Sequence, residues 1–122
     1  MDDLSNVWRH LAVTMDGDVA VISVRGDISA GDWHDELHAV FEHLILISCH
    51  RVVMDMTGVA RASSFLVACI GFYARVLAEA GGLLVVAALT ENCEKPFRLA
   101  GIDRMLIKQP TRAEAIATAT NI

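Results

Sequence analysis

His34 and His38 stand four residues apart, the spacing that puts two imidazoles on one helix face within reach of a shared metal ion. A zinc-peptidase helix also needs a glutamate directly after the first histidine. Here the string is His34-Asp35-Glu36-Leu37-His38, and no third ligand is recognisable. A solvated polar helix face accounts for the pair, so no metal and no other cofactor is expected. Cys49, Cys69 and Cys93 are an odd set without C-x-x-C spacing. They read as reduced thiols of a cytoplasmic protein rather than a disulfide framework or a zinc site. Asp55 closes an apolar run, where α/β folds often carry a catalytic carboxylate. Yet the chain has no G-x-S-x-G and no phosphate-cradling glycine loop, and Gly81-Gly82 precedes a strand rather than a helix. Enzymatic activity is not expected. The remaining chemical feature is Ser63-Ser64, two hydroxyls just before a long apolar segment. A serine at a helix start accepts a backbone N–H bond, with a contribution of about 1 kcal/mol.

The elements that position these residues follow from periodicity. Residues 8–14 and 19–25 flank Met15-Asp16-Gly17-Asp18, where Asp-Gly signals a hairpin. In the second of these strands Ala20, Ile22 and Val24 share one face, and Val19, Val21, Ser23 and Arg25 the other. Apolar residues on both faces imply a sheet covered on both sides. Residues 31–47 are predicted as a helix, with Trp33, Leu37, Val40, Phe41 and Leu44 forming one stripe and Ser29 or Asp32 as cap. Residues 51–56 form a strand that turns through Thr57-Gly58. A helix over 64–80 follows and stops at the glycine pair. The run 83–89 reads as a central parallel strand. A short helix over 94–100 carries Pro96 in its first turn, and a strand over 106–109 follows. Thr111-Arg112-Ala113-Glu114 is a capping box, so the last helix begins at Arg112. The order β-β-α-β-α-β-α-β-α gives an α/β fold: one mixed sheet of four or five strands with four helices.

Bulk properties narrow the function. The chain has 122 residues, of which 54% are hydrophobic, and reads as one domain over 1–122. Its formal charge is −5 and no basic run is present, which disfavours nucleic acid and anionic membrane surfaces as partners. The greasiest region, 65–89, is broken by Arg75, Glu79 and Gly81-Gly82, so it reads as core and not as a membrane insertion. The acidic start, Met1-Asp2-Asp3-Leu4-Ser5-Asn6, lacks the pattern of a secretory signal.

The helix over 64–80 is apolar around most of its circumference, and only Arg75 and Glu79 are clearly solvated. A helix on a sheet should hide one face only. Its outer face therefore needs a cover: neighbouring helices, a second protomer in a homodimer, or a different protein.

Four segments carry a resemblance. They are Val24-Arg25-Gly26-Asp27-Ile28, the run Val52-Val53-Met54-Asp55-Met56-Thr57-Gly58-Val59, Ala80-Gly81-Gly82 with the strand after it, and Arg98-Leu99-Ala100-Gly101-Ile102-Asp103-Arg104-Met105. In this order and spacing, over about residues 18–117, they resemble the STAS domain of anti-sigma factor antagonists and sulfate-transporter tails. In antagonists of that family an Asp-Ser-Ser-Gly motif opens the helix after the Asp-x-Ser/Thr-Gly strand. A partner kinase phosphorylates the first serine and the partner is released. Aligned without gaps from Asp55, the acid falls on Ser63, the phosphoacceptor on Ser64, the second serine on Phe65 and the glycine on Leu66. A one-residue gap makes Ser63 the acceptor and puts Ala62 in place of the acid.

The resemblance implies a non-catalytic regulator that binds a serine-kinase anti-sigma factor or another STAS-binding protein through residues 60–72. Ser64 or Ser63 is the phosphorylation candidate. Arg61 supplies charge, and Phe65, Leu66, Cys69 and Phe72 supply apolar docking surface. Phosphate adds roughly −1.5 to −2 charges, which a helix N-terminus accepts. The alternative is an unphosphorylated scaffold subunit of a larger complex of stressosome or lipid-transport type, which the lost acid and glycine favour.

Overall fold

The computed structural model describes residues 10–24 and 33–121. Strands β1 (Leu11–Asp16) and β2 (Val19–Val24) form the hairpin, with Asp16 opposite Val19 and Gly17 at φ 59° in the two-residue turn. β1 runs on to Asp16, two residues past its expected end at 14, so the four-residue turn expected over 15–18 narrows to Gly17-Asp18. Residues 8 and 9 of the expected strand lie outside the described residues. β3 (Arg51–Asp55), β4 (Leu83–Ala87) and β5 (Ile107–Gln109) add in parallel, giving the order β1-β2-β3-β4-β5. The helices are α1 (Trp33–Leu46), α2 (Ser64–Glu79), α3 (Glu91–Leu99) and α4 (Arg112–Asn121). This is the expected mixed sheet with four helices, and of the four or five strands anticipated five are present.

Alternation along the strands sorts the core into two layers. Ala20, Ile22, Val52, Met54, Leu84 and Val86 face α1, α2 and α3. Val19, Val21, Val53, Leu83, Val85 and Ala87 face α4, which contributes Ala115 and Ala119 at i, i+4. The small side chains of α4 let it lie close on the sheet. Arg51 fastens its far end, because its Nη1 donates to the carbonyls of Ala119 (2.7 Å) and Thr120 (3.0 Å). On the other face the α1 stripe is buried as predicted: Trp33, Leu37, Val40, Phe41 and Leu44. Each such large side chain removed from water contributes about 1.5–3 kcal/mol.

Some boundaries differ from expectation. α3 begins at Glu91 rather than Glu94 because Thr90 caps it, its hydroxyl accepting the Cys93 N–H at 3.3 Å. Pro96 consequently lies in mid-helix, where it cannot donate to the Asn92 carbonyl. β4 stops at Ala87, since Ala88 adopts φ 61°. A 3-10 turn, Asp103–Met105, precedes β5 and takes up part of the expected strand. The capping box at Thr111 is present: the Thr111 hydroxyl accepts the Glu114 N–H at 3.1 Å. Ser29 and Asp32, the expected caps of α1, lie outside the described residues, as does the stretch 25–28 of the first resembling segment. No helix among the described residues is long and apolar enough to cross a membrane.

Candidate functional site

Asp55 is buried at the end of β3 and organises the connection to α2. One carboxylate oxygen accepts from the Thr57 backbone N–H at 2.9 Å and from its hydroxyl at 2.7 Å. The other oxygen pairs with the Arg112 guanidinium at 3.2 Å. Burial by itself would raise this pKa, but the Thr57 hydrogen bonds and Arg112 outweigh it and hold the carboxyl below its ordinary value. A lowered folded-state pKa stabilises the fold above the unfolded-state value, and that contribution is lost as pH falls through the folded-state value. Urea midpoints should therefore decline from about pH 5 downward, and Asp55→Asn should flatten part of that slope.

Beyond the turn, the loop is pinned at Val59, whose carbonyl accepts from the buried Cys93 thiol at 3.1 Å, and at buried Ala62. Ala60, Arg61, Ser63, Ser64 and Phe65 are left on the surface. Ser63, not Ser64, is the N-cap of α2: its hydroxyl accepts the Leu66 N–H at 3.1 Å. Ser64 is the first helical residue, and its hydroxyl has no hydrogen-bond partner among the described residues. Ser63→Ala should thus cost about 1 kcal/mol, and Ser64→Ala should stay within about 0.5 kcal/mol. Thermal unfolding of the two variants reads this directly.

The helix α2 then divides by its 3.6-residue period. Leu66, Val67, Cys69, Ile70, Tyr73, Ala74 and Leu77 turn inward. Ser64, Phe65, Ala68, Phe72, Arg75 and Glu79 turn outward. Two of the proposed docking residues need correction: Leu66 and Cys69 are buried in the core and present nothing to a partner. They lie roughly 100° and 40° of helical rotation beyond Phe65, toward the sheet. Phe65 and Phe72 are 68% and 55% exposed and remain available.

Neighbouring helices cover only one flank of α2. On the α1 side, Tyr73 stacks on Phe41 with centroids 4.3 Å apart. On the α3 side an open apolar groove of about 610 Å³ remains, walled by Val67, Ala68 and Phe72 against Leu99, Ile102 and Met105. Ser64 lines one part of this groove, and Arg75 is its only charged lining residue. The sequence reading missed the far wall. A signal existed: Leu99 falls off the Cys93/Phe97 stripe of α3, so it could not join them in the core, and it is 79% exposed.

The histidines are not simply solvated. His34 stacks on Phe65 with centroids 5.5 Å apart, and His38 Nδ1 lies 3.0 Å from the Tyr73 hydroxyl. Both are spent at the α1–α2 seam. Among the described residues, no group of three His, Cys, Asp or Glu is placed to hold a metal ion. The three thiols are free and buried, and burial pushes the Cys69 thiol up to about 12. Such a thiol is a poor nucleophile at neutral pH.

An open sheet of one antiparallel and three parallel pairings, with three helices on one face and a serine-capped helix after the Asp55 turn, defines a class. The family model described as "Mlab, STAS domain" matches residues 11–108. The chain belongs to the STAS domain family. Three solved structures share the fold. One is a Thermotoga maritima protein described as an anti-sigma factor antagonist, 17% identical, with TM-score 0.81, covering 91% of this chain and 95% of that one. The anti-sigma factor antagonist SpoIIAA in its unphosphorylated form is 17% identical, with TM-score 0.78 and coverages of 92% and 97%. A chain of the stressosome is 12% identical, with TM-score 0.74 and coverages of 89% and 96%. At such identities the likeness speaks for the fold alone. No curated protein sequence matches the chain.

Proposed function

We propose that this STAS domain, spanning residues 1–122, is a cytoplasmic, non-catalytic regulator of the anti-sigma factor antagonist type. It binds a serine-kinase anti-sigma factor, and phosphorylation switches that binding and so regulates transcription. The observation that carries this reading is the juxtaposition at the start of α2. Two exposed aromatic side chains, Phe65 and Phe72, lie beside exposed Ser64 on a helix whose first turn holds no acidic residue. Arg61 precedes them on the pinned loop. Exposed aromatics beside arginine are the usual anchors of protein interfaces. Ser64 is the better acceptor, because Ser63 already uses its hydroxyl as the cap. A phosphate on Ser64 would sit at the positive end of α2 without disturbing the core, so the domain stays folded while its partner is rejected.

The second reading is a scaffold subunit without phosphorylation, in an assembly of stressosome or lipid-transport type. The likeness to a stressosome chain and the description of the matching family model favour it. A pull-down from lysate of the source organism, with wild type and Ser64→Asp as paired baits, separates the two. The first reading expects a kinase-like anti-sigma factor on the wild-type bait only. The same non-kinase assembly on both baits would leave Ser64 without a switching role.

A further inference from the structure

We infer that the groove between α2 and α3 seats an amphipathic helix of the partner whose polar edge is acidic, which gives the docking reading above a specific ligand chemistry. Of the six large hydrophobic side chains exposed among the described residues, Phe72, Leu99 and Met105 all line this groove. Clustered exposure of this kind marks an interaction surface rather than scattered surface apolarity. One wall is α2 and the other is the end of α3 with the 3-10 turn after it, which leaves an open apolar trough that can take a helix by its apolar stripe.

Charge selects among such helices. The chain as a whole carries −5, yet the groove lining holds a cation and no carboxylate. Arg75 has no ion-pair partner among the described residues and is the only charged lining residue. The α2 N-terminus opens onto the groove at Ser64, and its first turn, capped at the Leu66 N–H by the neutral Ser63 hydroxyl, carries no acid to offset the helix dipole. Ser64 and Arg75 are eleven residues apart, so the two positive points stand about 16 Å from each other along the helix. Three turns of a partner helix span that length, with carboxylates meeting Arg75 at one end and the α2 terminus at the other. A phosphate on Ser64 would fill the second point with negative charge and repel the same carboxylates. The groove and the switch thus share one electrostatic logic.

The test uses two labelled helical peptides of about 16 residues, with the same leucine stripe and either glutamates or lysines along its edges. Fluorescence anisotropy with the whole domain should show the glutamate peptide binding about tenfold tighter, with the preference shrinking as salt is raised. Arg75→Glu should erase that preference. Leu99→Ser should weaken both peptides, and its exposure makes it neutral to folding, which circular dichroism verifies. Equal affinity for the two peptides would overturn the inference. So would a wild-type mass by light scattering twice that of Leu99→Ser, which would assign the groove to a second copy. Binding to phosphatidylcholine vesicles that Leu99→Ser abolishes would assign it to lipid instead. If the pull-down shows a kinase partner lost on Ser64→Asp while the peptides show no preference, the docking reading stands and this inference falls. If the peptides behave as expected but both baits retain one non-kinase assembly, the groove chemistry stands and the phosphoswitch falls.

Discussion

Gly82→Ala should lower stability by about 3 kcal/mol, the upper end of what overpacking a well-filled site costs. A Cβ on Gly82 would collide with the carbonyl oxygen, carbonyl carbon and Cβ of His50. That backbone cannot retreat freely. The His50 carbonyl accepts from the Leu83 N–H at 2.9 Å, while the Gly82 N–H donates to the Leu77 carbonyl at 2.8 Å. The position therefore clamps the end of α2 to the entrance of β3, and relieving the overlap means giving up one of these bonds. The neighbouring Gly81 is a control with a different cause. It sits at φ 87° with open space around its Cα, so Gly81→Ala should cost only about 1–2 kcal/mol of backbone strain. Urea denaturation of both variants checks the ranking. Gly82→Ala must lose the larger share of the midpoint, with the slope unchanged.

Leu66→Ala should cost about 3 kcal/mol of stability, whereas Phe65→Ala should stay within about 0.5 kcal/mol. Leu66 is fully buried and meets the core shared by α1, α2 and the sheet, so its truncation leaves a cavity there. Phe65 is 68% exposed and loses only its stack on His34. The order reverses for partner capture. Phe65→Ala should weaken it by about tenfold or more, as removal of an aromatic anchor does. Chemical denaturation and a quantified pull-down on the same two proteins separate the roles. A Leu66→Ala domain that kept wild-type stability would mean that α2 is rotated from the position described. A Phe65→Ala domain with full capture would move the docking surface away from the start of α2.

Much of this molecule is readable from residue order. Period two in β2 assigned Ala20 and Ile22 to one face and Val19 and Val21 to the other, and these pairs sit in opposite core layers. Period 3.6 in α1 named its buried stripe residue by residue. The turn at Asp-Gly, the glycine stop after α2 and the Thr111 capping box are local too. Each depends on interactions within about five residues, which is why spacing alone reveals them.

Other features depend on residues far apart in the chain. An all-round apolar helix carries no marker of which side meets the sheet, so Leu66 and Phe65 were indistinguishable until α2 was docked. The choice between Ser63 and Ser64 as cap turned on one backbone angle, set by how the pinned loop enters the helix. Arg112 reaches Asp55 across 57 residues, and Leu99 reaches the groove opposite Phe72 only when α3 packs beside α2. A groove is a property of two surfaces held at a distance. Chain pattern specifies each surface, and the packing of helices on the sheet specifies the distance.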